Sequence, residues 1–171
     1  KLIMPDRKLI FVVDDNPDNL KLVGKILKDN GFSVGFAKTG MQIIESVKTE
    51  KPDLILLDIL MPVMDGFEIL KKLKSNVETK DIPILFITAL SDENSIDKAY
   101  EVGGVDYVTK PFKTKELLAR VKTHLELRSY QNNLEKIIKS KTKQLNLTQQ
   151  AIIISLVSLA EYRDMETGMH I

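Results

Sequence analysis

The sequence has 171 residues, 43% hydrophobic and 29% charged, with a formal net charge of +1. That composition is globular rather than disordered and suits one ordinary domain or a small domain with an extension. The near-zero charge gives no field that would favour nucleic acid or a membrane as partner, and the lack of cysteine excludes disulfides, thiol catalysis and thiolate metal sites.

Two histidines are too few for a histidine-based zinc site to be expected. The longest apolar run, from Ala151 to Ala160, is broken by Ser155 and Ser158 and falls far short of about 20 residues. No segment joins a basic start, an apolar core and a small-residue cleavage site. The expectation is a soluble, cytoplasmic protein with no nucleic-acid or membrane partner.

From Lys8 to Phe112 short apolar runs alternate with amphipathic stretches. The runs at 9–13, 34–37, 54–57, 84–88 and 105–108 are rich in Val, Ile and Leu and lack polar alternation, as expected of strands buried on both faces. Helical patterns separate them. One begins at Pro17 and stops near Asn30-Gly31; others cover 41–48, 67–75 and 94–102, the last closed by Gly103-Gly104. Strands alternating with helices predict a five-stranded parallel sheet, doubly wound, in an α/β domain.

Beyond Phe112 the character changes. No proline follows, and no glycine until Gly168, so one helix can run most of that length. Residues 1–112 carry 15 basic and 18 acidic residues, whereas 113–171 carry 10 and 6. Leu117, His124, Gln131, Ile138, Leu145, Ile152 and Leu159 recur every seven residues, with a second row through Leu127, Leu134 and Tyr162. Such rows favour a coiled coil, although His124, Gln131 and Lys141 weaken the seam. The lysines from Lys136 to Lys143 are interspersed with polar residues and read as a solvated helix face.

In an open parallel sheet, ligands gather beyond the C-terminal strand ends. Asp14 and Asp15 follow the first run, Asp58 the third and Lys110 the fifth, while Thr88 ends the fourth. Carboxylates so concentrated need a cation, and their hard oxygens suit Mg²⁺ with waters and a phosphate oxygen. Lys110 and Thr88 add a positive charge and a hydroxyl for a phosphoryl group. With no serine or cysteine nucleophile in view, a carboxylate would take that group as an acyl phosphate.

Residues 7–128 resemble the receiver domain of two-component response regulators. The resemblance rests on Val12-Val13-Asp14-Asp15-Asn16, the run from Pro52 to Gly66 that contains Asp58-Ile59-Leu60-Met61-Pro62, Thr88-Ala89, and Asp106-Tyr107-Val108-Thr109-Lys110-Pro111-Phe112. It implies a flavodoxin-like fold and Asp58 as phosphoacceptor, loaded by a sensor histidine kinase. It further implies Mg²⁺ on Asp15, Asp58 and the backbone carbonyl of Leu60, with Asp14 acting mainly through water. Thr88 and Lys110 would engage the phosphoryl oxygens, Tyr107 would be the switch aromatic that follows Thr88, and Pro111 would follow a cis peptide bond. Leu60 and Leu90 are apolar where some relatives help a hydrolytic water, so a long-lived phosphorylated form is expected.

The segment from Gln149 through Glu161-Tyr162-Arg163-Asp164-Met165-Glu166-Thr167-Gly168-Met169-His170 resembles the opening of HD-GYP domains, metal-dependent phosphodiesterases of cyclic di-GMP. The resemblance makes Glu166 and His170 part of an iron or manganese centre. The His-Asp pair and Gly-Tyr-Pro segment of that family do not follow, so the chain is read as a regulator truncated at the start of its output, with no complete hydrolase site. The expected organisation is a receiver at 1–128, a helical linker at 129–148 and an output fragment at 149–171. Ile152, Ile153, Ile154, Leu156, Val157 and Leu159 cover most sides of a helix and need a partner, so a homodimer through the C-terminal helix is expected. Two other readings are a dimerisation scaffold that is never phosphorylated and a metallohydrolase fragment using Glu166 and His170.

Overall fold

A computed structural model describes residues 7–89, 101 and 103–168, with side chains as far as residue 163. Strands β1 (Leu9–Val13), β2 (Ser33–Ala37), β3 (Leu54–Asp58), β4 (Ile84–Thr88) and β5 (Asp106–Thr109) form one parallel sheet in the order β2-β1-β3-β4-β5. The strand order reverses between β1 and β3, which opens a crevice beyond their C-terminal ends.

Helices start where side chains satisfy their free N–H groups. In α1 (Pro17–Asp29), Asn16 Oδ1 accepts from the Asp18 N–H and Pro17 occupies the first turn. Thr39 caps α2 (Gly40–Thr49), and Asp65 caps α3 (Gly66–Ser75) through the Glu68 N–H at 2.8 Å. The stop after α1 uses Asn30 and then Gly31 at φ +86°, where a β-carbon would be strained. The helix expected at 94–102 lies outside the described residues except for Glu101, which is helical and exposed.

Each face of the sheet has its own core. Phe11, Val13, Ile55, Leu57 and Phe86 pack under α2 and α3 through Ile43, Val47, Ile69, Leu70 and Leu73. Ile10, Val12, Leu54, Leu56 and Val108 pack under α1 and the start of α4 (Thr114–Gly168). The doubly wound parallel sheet expected from sequence is therefore present, with one correction. Only β1, β3 and β4 are buried along both faces; β2 and β5 are half-buried along most of their length. They are the sheet's two edges, with a neighbouring strand on one side only, and apolar composition does not reveal strand order.

Contacts divide the chain into Lys1–Arg128 and Ser129–Ile171. In the first unit the opening turns of α4 bury Leu117, Val121 and Leu125, spaced four apart on one face. In the second, every side chain described from 129 to 163 is exposed. No helix among the described residues is long and apolar enough to cross a membrane.

Candidate functional site

The crevice at the reversal of strand order collects the acidic residues. Asp14 directly follows β1, where its N–H still bonds Ala37 O at 3.2 Å. Its Oδ1 accepts the Asn16 N–H at 2.8 Å, and its Oδ2 accepts Asn19 Nδ2 at 2.9 Å and Lys110 Nζ at 2.9 Å. Asp58 ends β3; its Oδ2 accepts Lys110 Nζ at 2.9 Å and its Oδ1 the Leu60 N–H at 3.3 Å. Asp14 and Asp58 are buried and Asp15 is exposed, yet one carboxylate oxygen from each lies within 4.8 Å of the others.

Gly66 lets this site close. A β-carbon there would lie 2.6 Å from Asp58 O and 2.8 Å from Ile59 Cα, both backbone atoms that cannot swing aside. Its N–H bonds Ile59 O at 2.9 Å, folding the loop after Asp58 back on the strand. Within that loop Val63 takes φ +71° with its side chain fully in solvent. A β-branched residue in the left-handed region is strained.

Lys110 follows β5 at a cis bond to Pro111, and its N–H bonds Thr88 O at 2.7 Å. Thr88 itself is buried at the end of β4. One ammonium thus faces two buried carboxylates with a third close by. Two unit charges 4.8 Å apart repel by on the order of 3 kcal/mol at an effective dielectric of about 20. Burial pushes the Asp58 carboxyl up, Lys110 pulls it down by hydrogen bond and charge, Asp14 pushes it up again, and it ends above its ordinary value. Burial lowers Lys110, but hydrogen bonds and charge from Asp14 and Asp58 outweigh it and hold the ammonium protonated. One cation among three carboxylates leaves a deficit of positive charge, and the donors are all hard oxygens. The set fits a divalent cation of the Mg²⁺ type.

Asp14, Asp15, Asp58 and Lys110 are therefore brought together as the sequence suggested, with Thr88 at the neighbouring strand end. Leu60 is exposed beside Asp58 and contributes its N–H to it. Tyr107 is half-buried on β5 and packs on the α2–α3 core. The side chain of Glu166, all of His170, and Leu90 lie outside the described residues.

Sequence reading missed the groups that hold these residues in place. Asn19 is one, in the first turn of α1 and five residues from Asp14. A second is a cluster on β5. Asp106 accepts Arg120 Nη1 at 2.6 Å and the Tyr107 N–H at 2.8 Å, and His124 Nε2 lies 3.2 Å from its other oxygen. Burial raises the Asp106 carboxyl, but the Arg120 hydrogen bond, the Tyr107 N–H and His124 together bring it below its ordinary value. The Arg120 guanidinium also stands 5.8 Å from the Tyr107 ring centroid. The signal available in sequence was a polar His124 directly after Leu117 in the seven-residue row.

Comparison with known proteins agrees with this geometry. The family model of the response regulator receiver domain matches residues 10–122. A Vibrio cholerae protein named as a probable cyclic di-GMP phosphodiesterase is 36% identical over 169 residues, 95% of this chain, and the chain spans 38% of that relative's length. A solved two-component response regulator from Clostridium difficile superposes with a TM-score of 0.66 at 30% identity, over 70% of this chain and 97% of that one. The receiver domain of sensor histidine kinase PA1611 from Pseudomonas aeruginosa, solved with a magnesium ion in its active-site cleft, gives a TM-score of 0.66 at 27% identity, over 71% and 99%.

Proposed function

The chain belongs to the response regulator receiver domain family, and on that premise we propose that Asp58 accepts a phosphoryl group from the phosphohistidine of a sensor kinase. One observation carries the proposal: Lys110 bridges Asp14 and Asp58 at 2.9 Å each, at the mouth of a three-carboxylate cluster. An Asp58 carboxylate oxygen attacks phosphorus, the P–N bond breaks, and the imidazole leaves with its electron pair and takes up a proton. The product is an acyl phosphate on Asp58. Lys110 and the Thr88 hydroxyl bind phosphoryl oxygens, and the Leu60 N–H steadies the acceptor carboxylate. Asp15, Asp58 and the Leu60 carbonyl would hold Mg²⁺, with Asp14 acting mainly through water. The ion would supply the positive charge that three carboxylates and an incoming phosphoryl group lack.

Tyr107 then follows Thr88, and the change passes along α4. Residues 1–128 act as the receiver, 129–148 as the helical linker and 149–171 as the start of an output domain. The likeness to the Vibrio cholerae protein runs through this tail and supports a cyclic di-GMP phosphodiesterase output. Glu166 and His170 would there be two ligands of an iron or manganese centre that needs further ligands. The tail's exposed apolar side chains support homodimerisation through α4.

The test is intact mass after incubation with Mg²⁺ and acetyl phosphate. Wild type gains one phosphoryl group and Asp58→Asn gains none; a gain in both, or in neither, counts against the assignment. Slow loss of that group, over much longer than seconds, is expected because the exposed Leu60 offers no polar group to a hydrolytic water. For the dimer, sedimentation is decisive: a monomer at tens of micromolar, on the scale of weak association, removes it.

A further inference from the structure

At the end of the sheet opposite the acidic crevice, α4 makes a contact that none of the proposed phosphotransfer steps uses. Arg120, His124 and Arg128 are spaced four apart and so share one helix face, beside the apolar row of Leu117, Val121 and Leu125. Arg120 and His124 hold Asp106 on β5. Arg128 instead donates through Nη1 to the backbone oxygens of Asp53 at 3.0 Å and Pro52 at 3.4 Å. These two residues lead into β3. Asp53 is itself tied to β1, its carboxylate accepting the Leu9 N–H at 2.9 Å and Lys8 Nζ at 3.0 Å. The seat of Arg128 therefore stands on the two strands whose far ends lead to Asp14 and Asp58.

Two features set this contact apart. Arg128 is half-buried, yet among the described residues no carboxylate lies within ion-pair distance of it, so burial of its charge is compensated only by carbonyl dipoles and more distant acids. Nearby Lys74, in the last turn of α3, has the same arrangement: its Nζ donates to Lys80 O at 2.7 Å and Ile82 O at 3.0 Å, and it shares no ion pair among the described residues. The two cations oppose each other's charge. Arg128 is also the last described side chain of α4 that is not exposed. Every described side chain past it is exposed.

We propose that Arg128 is a release latch: seated on the Pro52 and Asp53 carbonyl oxygens it fastens the last docked turn of α4 to the entry of β3, and unseated it frees that turn. Contact alone transmits nothing; the latch supplies an element with two arrangements, bonded and open. It is a positioning residue, and it does not depend on phosphorylation of Asp58.

The chain has no cysteine, so paired spin labels can be placed cleanly. Labels at Lys48→Cys on α2 and Glu126→Cys on α4 read the docked turn; a second pair at Lys21→Cys and Lys48→Cys reads the fold away from it. All three positions are exposed and lie within Lys1–Arg128. In the full chain, Arg128→Gln broadens the first distance distribution toward longer separations and leaves the second unchanged. Arg128→Lys restores part of the narrow distribution, because Lys74 holds two carbonyl oxygens with one ammonium. Superimposable first distributions for Arg128 and Gln overturn the proposal. Equal broadening of both pairs overturns it too, since Arg128 would then only stabilise the fold.

Discussion

Two stretches of one helix obey opposite rules. Within Lys1–Arg128, α4 hides Leu117, at 0% exposure, against Ile10, Leu85 and Val108 of the sheet and its neighbours. Further along the same helix Leu145 is 58% exposed and Ile154 66%. The amino acids are alike, and so is the backbone. What differs is a facing surface. An apolar stripe is an offer of burial, and only a partner of matching shape converts it into stability. Residues 129–163 therefore contribute helix without contributing core, and their apolar side chains state a need for another surface.

That contrast can be tested by ordinary substitutions. The largest effect should come from Leu117→Ala, which empties a fully buried site and should cost about 2–5 kcal/mol in urea unfolding. Smaller and opposite in sign is Val63→Asn. Asparagine tolerates the left-handed backbone better than a β-branched residue, and the exposed valine contributes no packing, so stability should rise by about 1 kcal/mol, read as a higher urea midpoint at unchanged slope.

Acid should expose the Asp106 cluster. Its carboxyl is held below the ordinary 3.8, so the unfolded chain takes up that proton first on acidification. The stabilising contribution is complete above about pH 3.8 and is lost as pH falls through the lower folded value. The stability advantage of wild type over Asp106→Asn should accordingly shrink across that acid window and hold steady above it. Least of all, Leu145→Ala should change the stability of dilute protein by no more than about 0.5 kcal/mol. A loss there as large as that of Leu117→Ala would abolish the contrast, and a loss seen only in concentrated protein would sharpen it into self-association.

Sequence alone carried a reader far into Lys1–Arg128 because its signals are local. Strand β1 follows from five consecutive apolar residues, α1 from Pro17 and the Asn30-Gly31 stop, and the acidic crevice from carboxylates placed at strand ends. What stayed hidden depends on which elements become neighbours. The half-exposure of β2 and β5 requires the strand order. Arg120 and His124 meet Asp106 across 14 and 18 residues, and Arg128 meets Asp53 across 75, pairings that no periodicity announces. The row through Leu117, His124 and Gln131 also reads as one continuous seam in sequence, whereas its first two members dock on the receiver unit and Gln131 is exposed. Spacing tells which residues share a face, not where that face stops being covered.

Lys110 lies 52 residues after Asp58 and 96 after Asp14. During synthesis the two aspartates emerge first, and chains are made from the N-terminus onward. Until β5 has joined β4, neither carboxylate has its lysine. A nascent chain, or one whose last strand has come away, thus carries the acidic residues without the assembled site. The bridge from Lys110 to Asp14 and Asp58 is thus a mark of the finished sheet, made without any separate inspector: it exists only once the last strand is in place.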